Sequence, residues 1–544
     1  MMVADFTQKT KDLIDNLKGT CASYGLGNDG NESKIITQVF LYKFMNDKFG
    51  YDLKKIDDRF VSTDSWEKIA SEMTESAFSK ITMKISPNTA KLKREHLLSY
   101  LYNQQNIKNF SKLFDSTLID ISQTNASIFS VSTANNSKIV LFDELSQFVS
   151  DSSQRDDFCR AIINQLVNFS FEEIFTKKFD FFSTIFEYLI KDYNKDGGGK
   201  YAEYYTPHAV SKIMAKVLVD SPQKNVSVYD PSAGSGTLLM NVAHEIGESN
   251  CSIYSQDVSQ KSSGMLRLNL ILNNLVHSIP NVIQGNTLTT PFFKDGAKLK
   301  KFDFIVSNPP FKLDFSDFRD ELDKSENSER FFAGIPRVPA KKQDSMSIYL
   351  LFIQHIIFSL TPKGRAAIVV PTGFLSGKDA ISVSIRKHLV NSQMIRGIIS
   401  MPSNIFATTG TQVSVLFIDK SASYKSVMLL DASNLGTKVK DGKNQKTLLS
   451  DLDENLIIET FTSNSEIKEF SVVVDSDKFS TTEYSLNPGQ YFGVNVEFEP
   501  VTNEEFVSEV SRISKILDEN LVQAKNLNDS IKLGLKKISV PGKK

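Results

Sequence analysis

Four consecutive residues, Asn308-Pro309-Pro310-Phe311, have types and an order that suggest chemistry. They follow Phe302, Phe304, Ile305 and Val306, an aromatic and β-branched run that predicts a buried strand. The two prolines remove two backbone donors and stiffen the chain. What is left is a rigid corner holding an amide, a carbonyl with no competing N–H, and an aromatic ring. Such a corner suits a planar amine of the adenine N6 kind, a poor nucleophile because its lone pair is delocalised into the ring. The Asn308 side-chain oxygen and the Pro309 carbonyl can accept its two hydrogens and favour a pyramidal nitrogen, with Phe311 stacked on the base. This is catalysis by positioning and electrostatics, with no strong base. A base inside a duplex has to be flipped out to reach such a corner. A bare Asn-Pro-Pro also suits a turn; its place after a buried strand argues against that.

A second constellation lies about seventy residues earlier, in VSVYDPSAGSGTLLM, Val226 to Met240. A short strand leads to Asp230, then Pro231, Ser232, Ala233, Gly234, Ser235 and Gly236, and a helix is expected from Thr237. Ligands of doubly wound sheets sit at such strand ends, and the glycines let a ligand approach the backbone. There is no Gly-Lys-Ser/Thr and no three-glycine dinucleotide spacing, so phosphate binding is disfavoured. An acidic residue opening a small-residue loop suits a cationic or neutral ligand. The next strand ends at Asp257, where such units place an acid on a ribose hydroxyl pair. The third leads to Asn286, which reads either as a contact to an adenine edge or as a turn-forming asparagine.

The elements that must position these residues follow from the hydrophobic pattern. Strands are expected at 226–230, 252–256, 281–284, 302–307, 365–370, 395–400, 412–419 and 426–430. Helices are expected at 207–219, 235–247, 259–274, 346–360 and 378–390. This alternation predicts an α/β fold with an open, mostly parallel sheet and an antiparallel end. The chain before about Phe182 reads as all-α, and Gly197–Gly199 marks a flexible joint. The stretch 503–538 is helical again. The expected organisation is a helical domain over 1–170, a Rossmann-like catalytic domain over 171–492 with a mixed extension from about 431, and a helical tail over 493–544.

With 544 residues, two or three domains are expected. The net charge of −1 is low for a chain that binds nucleic acid alone, so part of the backbone-binding charge is expected from a partner. Cys21, Cys159 and Cys251 are too scattered for a zinc site or a disulfide framework, so no metal is expected. No signal-peptide core or membrane-length apolar run appears, which points to a cytoplasmic protein without a membrane partner.

DPSAGSGTLL and NPPF, in that order, resemble the donor and catalytic motifs of the gamma class of S-adenosylmethionine-dependent DNA adenine-N6 methyltransferases. FSTIFEYLIKDYNKDGGGKYAEYYTPHAV, LTPKGRAAIVVPTGFL, IRGIISMPSNIFATTGTQVSVLFIDK and YSLNPGQYF narrow the resemblance to the modification (M) subunit of type I restriction–modification systems, over about residues 170–492. The resemblance implies S-adenosyl-L-methionine as methyl donor. It implies a donor site of Glu203, Tyr204, Tyr205, Thr206, Pro207 and His208, together with Asp230, Ser232, Ala233, Gly234, Ser235, Gly236, Thr237, Asp257, Asn286 and Leu288. The catalytic set is Asn308, Pro309, Pro310 and Phe311. The implied partners are double-stranded DNA, a specificity (S) subunit that chooses the sequence, with two M per S, and a restriction (R) subunit for cleavage. Two alternatives stay open: a self-sufficient adenine methyltransferase, for which no recognition domain is evident, and a non-catalytic assembly protein, which has no use for an intact Asn-Pro-Pro-Phe corner.

Two further segments have two readings each. The 312–345 stretch is either a solvated loop or a segment closing over flipped base and DNA, with Arg330, Arg337, Lys341 and Lys342 near phosphates. In the tail, Phe506, Val510, Ile513, Leu517, Ala524, Leu527 and Ile531 follow coiled-coil spacing, with Asn520 in a seam position. That helix packs either on its own domain or, as the resemblance implies, on helices of the S subunit.

Overall fold

Strands buried on both faces need a layer of helices on each side, and neighbouring residues of the central strands divide accordingly. The computed structural model describes residues 3–27, 30–61, 65–133, 137–175, 206–406, 412–441, 444–492 and 502–536. Among them the strands begin with β1 (Val131–Thr133), β2 (Lys138–Ile139), β3 (Val226–Asp230), β4 (Cys251–Asp257), β5 (Val282–Gln284), β6 (Lys294–Asp295), β7 (Lys298–Leu299) and β8 (Phe302–Ser307). They continue with β9 (Leu360–Pro371), β10 (Ile395–Ser400), β11 (Val413–Asp419), β12 (Ser426–Asp431), β13 (Thr437–Asp441), β14 (Asn444–Leu448) and β15 (Ser471–Asp475). Eleven of these form one sheet in the order β15-β12-β10-β11-β9-β8-β3-β4-β5-β1-β2, while β6-β7 and β13-β14 are separate hairpins.

The strands from β9 through β8, β3, β4 and β5 to β1 run parallel. β11 is antiparallel to both its neighbours, and β15 closes that end antiparallel to β12. On one face Val228, Phe304, Val306, Ala367 and Val369 pack under the helices His208–Leu218, Thr237–Ile246 and Gln260–Leu272. On the other, Tyr229, Phe302, Ile305, Ala366 and Ile368 pack under Tyr349–Ser359 and Ala380–Asn391. Period-two alternation thus sorts one sequence into two cores, except at the start of β8, where a register shift against β9 between Phe302 and Phe304 puts these two residues in opposite cores. Tyr229 stacks on Phe302 with 4.2 Å between ring centroids, fixing β3 beside β8.

The N-terminal region is helical in bulk, with helices Val3–Ser23, Gly30–Ile56, Phe110–Thr124 and Arg155–Val167 continuing the first of these cores. It departs from the all-α expectation in one respect. β1 joins the edge of the catalytic sheet parallel to β5, pairing Ser132 with Ile283 and Thr133 with Gln284, and β2 follows antiparallel. Buried Arg267, on the helix Gln260–Leu272, ties the same region down: its Nη1 donates to the carbonyls of Phe129, Ile139 and Val140 at 3.3, 3.1 and 3.0 Å.

Met1–Tyr491 and Phe492–Lys544 are two units. Within the second, one helix spans Asn503–Lys536. Its apolar residues Phe506, Val510, Ile513, Leu517, Leu527 and Ile531 are exposed. No helix among the described residues is long and apolar enough to cross a membrane. The Gly197–Gly199 joint lies outside the described residues.

Candidate active site

The carboxyl ends of β3, β4, β5 and β8 meet at one edge of the sheet, and each contributes a polar group. β3 delivers Asp230, 1% exposed. Its Oδ1 accepts from the Ser232 N–H at 2.9 Å. Burial pushes this carboxyl up to about 7, against the hydrogen bonds from Ser232 and Ser307 and with a further push from the Asp257 charge. The loop then turns through Gly236, whose φ of +84° opens the helix Thr237–Ile246. A Cβ there would stand 2.1 Å from Leu266 Cδ1, so buried Leu266 would have to shift, in addition to the backbone strain that a side chain meets at this φ. Gly234 has a φ of +51° and open space where a Cβ would be. It forms the bare floor of a cradle.

Asp257, at the end of β4, is bound into this loop. Its Oδ2 accepts from Gly234 N–H at 2.9 Å and its Oδ1 from Ser259 N–H at 2.8 Å. After β5, Thr287 Oγ1 donates to the Pro231 carbonyl at 2.6 Å. Asn286 Oδ1 accepts from Leu288 N–H at 2.9 Å, which uses its oxygen in an Asx turn. A half-buried acid, a buried acid and an uncovered glycine backbone are a donor set for a nucleoside carrying hydroxyls and positive charge. They fit S-adenosylmethionine and do not fit a pyrophosphate.

β8 brings the amide corner to the same edge. Ser307, fully buried, places its Oγ 2.7 Å from Ser232 Oγ, which joins the end of β8 to the loop after β3. Asn308 is 9% exposed, and its Nδ2 donates to Thr206 Oγ1 at 3.1 Å. Thr206 and Pro207 immediately precede the helix His208–Leu218. The Phe311 ring is half-buried and meets Tyr349 edge-on at 6.2 Å.

Most expected site residues therefore share one sheet edge: Thr206, Pro207 and His208, the loop Asp230–Thr237, Asp257, Asn286 and Asn308–Phe311. Among the described residues, buried His208 Nδ1 has no hydrogen-bond partner. Leu288 is different in kind, because its side chain packs into a small apolar cluster with Phe315, Leu322 and Phe331. Glu203, Tyr204 and Tyr205 lie outside the described residues. Ser307 and Thr287 escaped the sequence reading: a serine in a buried strand and a threonine after a turn carry no signal until the strands are aligned.

The 312–345 segment corrects one expectation. Arg330 does not face solvent or phosphate. It is 4% exposed and donates to the carbonyls of Leu288 at 2.7 Å and Thr287 at 2.8 Å, and through Nε to His355 Nδ1 at 3.0 Å. Burial and the adjacent guanidinium hold His355 well below its ordinary value, so it accepts as a neutral ring. The segment carries apolar residues of its own, Phe315, Leu322, Phe331 and Ile335, and is folded against the site. Arg337, Lys341 and Lys342 remain exposed.

The family model described as N-6 DNA Methylase matches residues 177–499. The methylase subunit of the type I restriction enzyme MpnII from Mycoplasma pneumoniae is 28% identical over 388 residues, 70% of this chain and 68% of that protein. The MjaIX methylase subunit from Methanocaldococcus jannaschii is 26% identical over 373 residues, 66% of this chain and 64% of that protein. The solved structure of a type I restriction–modification methyltransferase subunit from Streptococcus thermophilus superposes with a TM-score of 0.74 at 19% identity, covering 91% of this chain and 100% of that one. Its fold is this fold. With the family match spanning more than half of the residues, and the donor loop and amide corner meeting at one sheet edge, the chain belongs to the N-6 DNA methylase family.

Proposed function

We propose that this chain is the modification subunit of a type I restriction–modification enzyme and methylates adenine N6 in double-stranded DNA. The observation that carries the reading is the hydrogen bond between Ser232 and Ser307, which fixes the donor loop against the amide corner. S-adenosylmethionine supplies the methyl group, activated on a sulfonium. Asp230 and Asp257 hold the donor on the floor formed by Ser232, Ala233, Gly234, Ser235, Gly236 and Thr237. Asn286 and the Leu288 backbone bonded to it are assigned to its base end, and Thr206, Pro207 and His208 are assigned to donor binding together with Glu203, Tyr204 and Tyr205, which lie outside the described residues. Asn308 Oδ1 and the Pro309 carbonyl accept the two N6 hydrogens, so positive charge developing on nitrogen meets two fixed dipoles. Pro310 holds the corner rigid, and Phe311 stacks on the flipped base.

The relatives, being methylase subunits, favour neither a self-sufficient enzyme nor a catalytically silent assembly protein. A separate S subunit supplies the sequence choice that this near-neutral chain does not advertise, two M chains serve each S, and an R subunit adds cleavage; the complex works in the cytoplasm. The test pairs the purified chain with its S subunit. Site-specific N6-methyladenine should form with S-adenosylmethionine, and Asn308→Ala should abolish it while calorimetric donor affinity is kept. Methylation at the parental rate by Asn308→Ala would overturn the assignment.

A further inference from the structure

A side-chain amide has two ends of opposite polarity, and only one suits an amine. If Asn308 turned its Nδ2 toward the target, N–H would face N–H and the catalytic dipole would be reversed. The terminal torsion of asparagine is soft, so rotamer preference does not choose between the two ends. The choice has to come from a neighbour. Among the described residues Asn308 makes one side-chain hydrogen bond, from Nδ2 to Thr206 Oγ1 at 3.1 Å, and its Oδ1 accepts from no protein group.

We infer that Thr206 is a positioning residue for methyl transfer: by accepting from Asn308 Nδ2 it presents Oδ1 to the target amine. This rests on the adenine-methylating reading above and moves Thr206 from the donor wall to the catalytic amide. Both partners are well fixed. Thr206 is 6% exposed and is followed by Pro207, after which the helix His208–Leu218 buries Val210, Ile213, Met214 and Val217 completely. Ser211 anchors the junction, its N–H donating to the Pro207 carbonyl at 3.0 Å. On the other side Asn308 stands between buried Ser307, bonded to Ser232, and the locked φ of Pro309. With both backbones held, neither the acceptor nor the amide can swing away without breaking packing.

The experiment compares Thr206→Val, which removes the hydroxyl at nearly constant shape, with Thr206→Ser, which restores it. The full-length chain is assayed with its S subunit at saturating donor. Single-turnover methylation should fall about 10- to 100-fold in the valine variant, recover to within about threefold in the serine variant, and leave calorimetric donor affinity within about threefold of the parent. Thr206→Ala, which cannot crowd the corner, should repeat the valine result if valine disturbs the fold. A donor-binding role alone predicts the reverse, with weakened donor affinity and a normal rate at saturation. That result would overturn the inference, as would equal losses in valine and serine. Failure of the wider functional reading is separately visible, because the unaltered complex would then form no N6-methyladenine.

Discussion

Replacing Asp230 by asparagine should stabilise the protein, and by an amount that depends on pH. The carboxyl is fully buried and rises from 3.8 to about 7 on folding, chiefly because burial disfavours its charge. The unfolded chain releases this proton near 3.8, whereas the folded chain keeps it to about 7. Between those values the folded state binds more protons, so stability falls as pH rises, and the loss is complete above 7. At ~1.4 kcal/mol per pH unit the ionised carboxylate costs the fold about 4 kcal/mol. Asparagine keeps an oxygen for the Ser232 N–H and drops the charge. The variant should therefore gain about 2–3 kcal/mol on the parent between pH 5 and pH 8. Denaturant unfolding followed by circular dichroism at the two pH values measures the gain. An offset equal at both would refute the reasoning, because a charge-independent packing change gives no pH slope. Donor affinity should move the opposite way. A cationic ligand favours the ionised carboxylate, so the parent should bind better as pH rises through 7, and the variant should bind weakly throughout.

Gly236→Ala should cost about 2–4 kcal/mol, combining left-handed strain with the clash on Leu266, and thermal unfolding would show it. Gly234→Ala has open space for its methyl and should cost only about 1 kcal/mol, yet it should weaken donor binding measured by calorimetry because it fills the cradle. Arg330→Met should leave the Thr287 and Leu288 carbonyls without their donors, at about 1–3 kcal/mol each, and tryptic cleavage at Lys341 and Lys342 should accelerate. A chain cut near Val501 should still bind donor but no longer co-elute with its S subunit on size exclusion.

β3, β8 and β10 begin and end within a residue of their expected bounds, because each is a short aromatic or β-branched run between turn residues. Their common edge follows from parallel connectivity, so the meeting of Asp230, Asp257, Asn286 and Asn308 was legible too. β1 was not: Val-Ser-Thr is three residues long and largely polar, and only the open edge of β5 makes a strand of it. β15 was missed for a related reason, its Val472–Val474 run lying in a stretch without clear periodicity. Arg330 read as a surface cation because arginine is seldom buried. What buries it, His355 and the carbonyls after β5, lies 25 to 43 residues away in the chain. The Asn308–Thr206 bond spans 102 residues, and no local pattern announces which end of an amide a distant hydroxyl will hold.

The two short strands that the helical region lends to the sheet decide how this chain can be divided. A chain begun at residue 171 would leave the outer edge of β5 uncovered, its N–H and C=O groups facing water next to the donor loop. It would also strand the Arg267 guanidinium, whose acceptors are carbonyls of residues 129 and 139–141. Uncovered strand edges recruit other chains. The N-terminal helical region, part of one unit with the sheet, is thus a guard against edge-to-edge association. Its loss would show first as precipitation during expression, before any question of binding or catalysis arose.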